Sequence, residues 1–307
     1  MTPVILALAH TSNRLWRDEA VNLQTDVYPL NSKTRETISW ALLAGLLFLR
    51  LPLSTGAAYF PRLTWLDPLY EICTYALTLY LIWLEQDRLV LFHIDALVIV
   101  MIVFLKPLET LFLMVYSDNH LLAFPGFPSL LIWVSAAVFF FVLRKQRPDL
   151  LKVRKTSWRW FGLGVLAGIG KALLLGYPMA RQLGPNPPYY KPILFNALLP
   201  VLPYFLFQLG YAAVAEEPLF RGFLWGHLRK AGWNEWWIWP FQTLLFMLGH
   251  LYYLPQQPVP FWIVVPIGGL VQGLLAWKSR TIASSMAAHG LSNALTTTVA
   301  RLIVPYI

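Results

Sequence analysis

Long apolar runs, broken by short polar or proline-rich stretches, dominate the chain. Nine can be marked, at about residues 37–52, 69–84, 89–115, 129–143, 160–177, 192–215, 236–250, 259–277 and 281–303. The runs are continuous and reach 15 to 27 residues. Barrel strands instead alternate apolar and polar positions, so a transmembrane β-barrel is excluded. A helix needs about 20 apolar residues to cross a bilayer comfortably, so one or two of the shorter runs could be re-entrant or buried behind others. The pattern predicts an all-α, polytopic transmembrane helical bundle of about 8–9 membrane segments.

Composition agrees. Of 307 residues 57% are hydrophobic and 13% charged, against about 25% charged in a soluble domain, and the mean hydropathy is +0.55. The net charge of +9 could suggest nucleic acid, but seven of the 24 Lys and Arg lie between Arg144 and Arg159. A basic loop between two apolar runs reads as a cytoplasmic anchor with contact to membrane lipids, not as a nucleic-acid surface. With that loop inside, Arg229, Lys230, Lys278 and Arg280 also fall inside, and the loop at 251–258 carries no Lys or Arg. The expectation is an integral protein of the plasma (inner) membrane with a cytoplasmic N-terminus. Four regions follow: a cytoplasmic or interfacial arm at 1–36, four membrane segments at 37–143, the basic loop at 144–159, and a C-terminal membrane region at 160–307. The lone Cys73 excludes a disulfide framework or a cysteine metal site.

Ionisable groups at membrane depth are costly and usually mark a working site. Glu216, Glu217 and Arg221 form such a cluster, and His250, His289 and Asn293 follow on later segments. Glu217 and Arg221 stand at i,i+4 and can pair. Glu216 is rotated about 100° away and is left for other work. Counted from the basic edge at about 1.5 Å per residue, Glu216, His250, His289 and Asn293 lie about 20, 21, 14 and 20 Å deep. A single intramembrane His or Asn is commonly a helix-packing hydrogen bond. Several at similar depth instead indicate one buried polar cavity.

Three ordered motifs carry a family resemblance: Glu216-Glu217-Pro218-Leu219-Phe220-Arg221, Phe246-Met247-Leu248-Gly249-His250 and His289-Gly290-Leu291-Ser292-Asn293. Together they resemble the CAAX protease and bacteriocin-processing (CPBP) family, which includes the type II CAAX prenyl endopeptidases and the Abi proteins. The likeness covers about 192–300, and residues 1–150 match nothing familiar. It implies an intramembrane endopeptidase acting on a membrane-associated peptide or protein, lipidated or not. In that scheme Glu216 is the general base, assisted by His250. His289 and Asn293 stabilise the oxyanion, and Glu217 and Arg221 are supports. A carboxylate out of water is the stronger base, and fixed N–H donors facing an oxyanion supply several kcal/mol.

Two questions stay open at the level of sequence. Glu216, His250 and His289 could hold zinc as a two-His, one-carboxylate set, although a glutamate-activated water without metal leaves one His free as a donor and is preferred. A non-proteolytic scaffold or immunity-type protein using the same fold is the alternative function. Lys171, among glycines, either reaches a carboxylate such as Glu217 or snorkels outward. Lys106 and Glu109 are expected to pair, His93 and Asp95 to be interfacial, and His227 to lie at the surface.

Overall fold

The computed structural model describes residues 32–53, 66–116, 127–146, 157–183, 201–255 and 258–303. The 1–31 arm and most of the basic loop lie outside them. The described residues form helices with no strand. These are α1 (Ser32–Phe48), α2 (Leu66–Leu84), α3 (Ala96–Tyr116), α4 (Phe127–Gln146) and α5 (Trp158–Leu183), then α6 (201–230), α7 (Glu235–Leu248), α8 (Val265–Ser279) and α9 (Ile282–Ile303). Each predicted apolar run overlaps one of them.

Two helices, Trp158–Arg181 and Pro260–Ser279, are long and apolar enough to cross a membrane. Leu69–Leu84 and Leu130–Leu143 are apolar but shorter. On α5 the outward-facing Leu163, Leu166, Leu173 and Leu174 are exposed, as are Val138, Phe140 and Phe141 on α4. Contiguous apolar surface of this kind is unfavourable in water and suits a lipid environment.

Helix α6 is one run in which α-helical turns alternate with the wider π-helical turns Leu209–Ala213 and Pro218–Leu224. Pro218 has no amide hydrogen for the carbonyl one turn back, and the turn widens from that residue. π-Helical turns also extend α1 at Leu49–Leu53, around Pro52, and precede α8 at Pro260–Val264. Such turns are rare and recur at functional sites. Here they flank the polar centre.

Helix α5 lies directly on α9. A Cβ on Gly164 would stand 2.2 Å from the Ser284 carbonyl oxygen, and one on Gly176 would stand 2.3 Å from Val299 Cγ1. The order of these contacts makes the two helices parallel. Small residues let backbones approach this closely, and the approach fixes the side of α9 that carries His289.

Polar residues gather at one end of the bundle, the end the charge pattern assigns to the cytoplasm. Glu36 on α1 receives Arg88 and Lys230, and Asp87 receives Arg35. Glu235 accepts Arg229 at 2.8 Å and Arg280 at 2.7 Å. Burial alone would push the Glu235 carboxyl up, but these two cations outweigh it and hold it below the usual carboxylate range. Two expectations fail at this end. His227 is fully buried, bonded to Ser39 Oγ at 2.9 Å and covered by the rings of Trp40 and Phe92. His93 and Asp95 are buried too: Arg229 donates to His93 Nε2 at 2.6 Å, and Thr281 donates to Asp95 at 2.7 Å. In each case a partner distant in sequence covers a group that helical position alone places at the surface. Lys106 pairs with Glu109 at 2.8 Å, as expected.

Gly164→Ala should be destabilising by about 1–3 kcal/mol, the usual cost of overpacking. Gly162, where an added Cβ would meet nothing within 4 Å, is the control. Gly162→Ala should be neutral or slightly stabilising. Thermal unfolding in detergent compares the two.

Candidate active site

Glu217 and Arg221 are both fully buried and meet at 3.3 Å on consecutive turns of α6. Arg221 also donates to Gln272 Oε1 at 3.1 Å and to the Gly269 carbonyl at 3.4 Å, and its guanidinium lies 4.2 Å from the Phe246 ring centre. Glu217 in turn accepts the Ser285 hydroxyl and His289 Nδ1–H, the latter at 2.7 Å. Both oxygens of this carboxylate are engaged. Its chemistry is spent on holding α6, α8 and α9 in register.

Glu216, one residue earlier, turns to the other side. Its Oε1 accepts Arg50 Nη2 and lies 3.7 Å from His250 Nε2. Its Oε2 lies 3.7 Å from His289 Nε2 and has no hydrogen-bond partner. An unsatisfied buried carboxylate oxygen is expensive unless something fills the space before it. That space is a cavity of about 300 Å³, lined among others by Arg50, Glu216, His250, His289 and Asn293.

Proton positions follow from the partners. His250 Nδ1–H donates to the Phe246 carbonyl at 2.7 Å, so a neutral ring presents its lone pair at Nε2. Arg50 Nη2 donates to that nitrogen at 3.1 Å. His289 donates Nδ1–H to Glu217, so its neutral ring likewise presents a lone pair at Nε2, toward Glu216. Asn293 lines the same cavity and donates Nδ2–H to Gln208 Oε1 at 3.2 Å.

Glu216, Glu217, Arg221, His250, His289 and Asn293 therefore surround one site. Sequence reasoning missed Arg50 and Tyr70, which accepts Arg50 Nη1–H at 3.1 Å. Arg50 ends the first apolar run, and the rule that flagged Arg221 applies to it equally. What sequence does not show is that α1 meets α6 and α7 here. Lys171 is buried rather than snorkelled and is attracted by Glu217, although among the described residues no ion pair between the two lies within 4 Å.

The donor set does not fit a metal as arranged. Arg50 puts a cation against both Glu216 and His250, where zinc would need those lone pairs. Among the described residues no group of three His, Cys, Asp or Glu side chains is placed to hold a metal ion. The geometry gives no support to a metalloprotease.

Residues 198–295 match the family model described as type II CAAX prenyl endopeptidase Rce1-like. This stretch is similar to the Rce1-like family. The match falls within the range the three motifs marked and agrees with the CPBP resemblance. It takes in Glu216, Glu217, Arg221, His250, His289 and Asn293, and it excludes Arg50, Tyr70 and Lys171. No curated protein and no solved structure matches the chain.

Arg221→Met leaves Glu217 buried without its cation and should lower stability by about 3–5 kcal/mol. Adding Glu217→Gln to that variant should recover part of the loss. Denaturant unfolding of the two variants in detergent checks both directions.

Proposed function

We propose that the chain is an intramembrane endopeptidase that hydrolyses a membrane-associated peptide or protein with water activated by Glu216. One observation carries this reading: Glu216 Oε2, buried and without a partner, faces the lone pair of His289 Nε2 across 3.7 Å of a cavity. Two acceptors so placed are satisfied by a water that donates to both. Arg50 occupies the other oxygen, so the basic lone pair is the one directed at that water.

Glu216 takes a proton from the water as its oxygen attacks the scissile carbonyl carbon. General-base help of this kind contributes about 10²–10⁴ in rate. The carbonyl oxygen becomes an oxyanion, met by an N–H group of Asn293, while His289 Nε2 accepts the hydrogen that remains on the attacking oxygen. Each such donor contributes about 10²–10³. As the carbon–nitrogen bond breaks, the proton held by Glu216 passes to the departing amine. Glu217 holds the His289 ring in place through Nδ1–H. Arg50, itself held by His250 Nε2, fixes Glu216 Oε1.

On this reading, which the distribution of Lys and Arg supports, the site lies in the plasma (inner) membrane with the N-terminus and the polar end of the bundle in the cytoplasm. Mapping peptide termini in membrane fractions of cells carrying the wild type or Glu216→Gln tests the proposal. A terminus present in the wild type should disappear in the variant. Identical terminus profiles from two equally abundant proteins would leave the scaffold or immunity-type alternative standing.

A further inference from the structure

The cavity before Glu216 runs in one direction only. Helix α6 is antiparallel to α9: Glu217 meets Ser285 and His289, and Gln208 meets Asn293 further along. From Glu216 the cavity extends back along α6 to Gln208, and from His289 it extends forward along α9 to Thr297. Each step is eight residues, about 12 Å, toward the same end of the bundle. On α5 it reaches Met179, three residues beyond the glycine that meets Val299. Glu71 from α2 and Lys106 from α3, paired at 3.3 Å, stand in its wall. This is the end away from Glu36 and Glu235. Arg35 meets Asp87 where α1 and α2 approach those networks, and Arg50 meets Tyr70 toward the opposite end.

Toward the polar end the bundle is filled. Phe220, Phe223 and Trp225 follow Glu216 on α6 and are fully buried, and Phe92 packs on Phe223 with 5.3 Å between ring centres. Among the described residues, none that lines the cavity follows Glu216 on α6 or precedes His289 on α9. Exposure rises in the other direction. Glu216 and His289 are 5% and 4% exposed, whereas Tyr211 is 49% exposed and Thr297 is exposed as well. Between them the wall carries the amide of Gln208 and the hydroxyls of Ser292 and Thr296. Polar groups at membrane depth are costly against lipid and usually line water or a substrate path.

We propose that water and peptide enter this cavity from the end of the bundle opposite the polar networks, so that the site cleaves segments presented at the non-cytoplasmic face of the membrane. This rests on the peptidase reading and on the orientation that the basic residues support. A segment on the cytoplasmic face would have to displace the aromatic block around Phe220, Phe223 and Trp225 to reach Glu216. A segment on the other face meets a hydrated passage that already ends at the free oxygen of that carboxylate. The passage is about 12 Å long and takes about three to four extended residues. The substrate class is therefore a membrane-anchored or exported protein with an extended stretch beside the bilayer on that face. A folded domain does not fit a cavity of about 300 Å³.

The test is labelling of single cysteines with a membrane-impermeant sulfonated maleimide. Cys73→Ala removes the native thiol. In that background Thr297→Cys marks the rim of the cavity, and Lys278→Cys marks an exposed position at the polar end. Thr297→Cys should label in intact cells, whereas Lys278→Cys should label only after permeabilisation. Treating intact Thr297→Cys cells should also abolish release of the peptide terminus that depends on Glu216, and the same treatment should leave processing by Lys278→Cys unchanged. Labelling of Thr297→Cys only after permeabilisation, or under neither condition, overturns the inference. So does labelling of Lys278→Cys in intact cells, or labelling of Thr297→Cys that leaves processing intact. Failure of the peptidase reading looks different: Thr297→Cys would label from outside while no peptide terminus depended on Glu216.

Discussion

The ion pair between Glu217 and Arg221 is the contact on which the rest of the centre depends. Both groups are removed from solvent, and the cost of stripping water from two ions is recovered only with good geometry and extra hydrogen bonds. Gln272 and the Gly269 carbonyl from α8, Ser285 and His289 from α9, and the Phe246 ring from α7 supply them. Three helices are thereby tied to one turn of α6. The same arrangement settles which carboxylate is available. Glu217 has no free oxygen, whereas its neighbour keeps one.

The active centre is not confined to the part of the chain that carries the family motifs. Arg50 and Tyr70 reach it from α1 and α2, and Lys171 from α5. Arg50 changes the electrostatics most. Removal from water alone would make Glu216 a stronger base, but a guanidinium on Oε1 opposes that trend. Reactivity then depends on the second oxygen and on His289. The Rce1-like region supplies the groups proposed to react, and the N-terminal helices shape the charge around them.

Much of this was legible in the sequence for simple reasons. Continuous apolar runs admit only helices in a bilayer, so the fold class followed from hydropathy. The separate directions of Glu216 and Glu217 followed from helix geometry, and depth counting brought His250, His289 and Asn293 to the same level. What could not be read were contacts between helices distant in sequence. His227 counts as a surface residue by position on α6, yet Ser39, Trp40 and Phe92 enclose it. Arg50 carries the signal of a buried charge, but its partner depends on how α1 crosses α6. Lys171 stood out among glycines, whereas its place in the wall of the cavity emerges only once α5, α8 and α9 are in place.

The division of labour between the adjacent glutamates is the central claim, and replacing each in turn addresses it most directly. Glu216→Gln and Glu217→Gln, purified and reconstituted in parallel, would be compared for thermal midpoint and for release of the peptide terminus that the wild type produces. Glu216→Gln should abolish processing and lower the midpoint less than Glu217→Gln does, because it removes the base while Arg50 keeps Tyr70 and His250 as hydrogen-bond partners. Glu217→Gln should lower the midpoint, because it leaves Arg221 without its counter-ion. Processing that survives in Glu216→Gln, with the midpoint intact, would contradict the account.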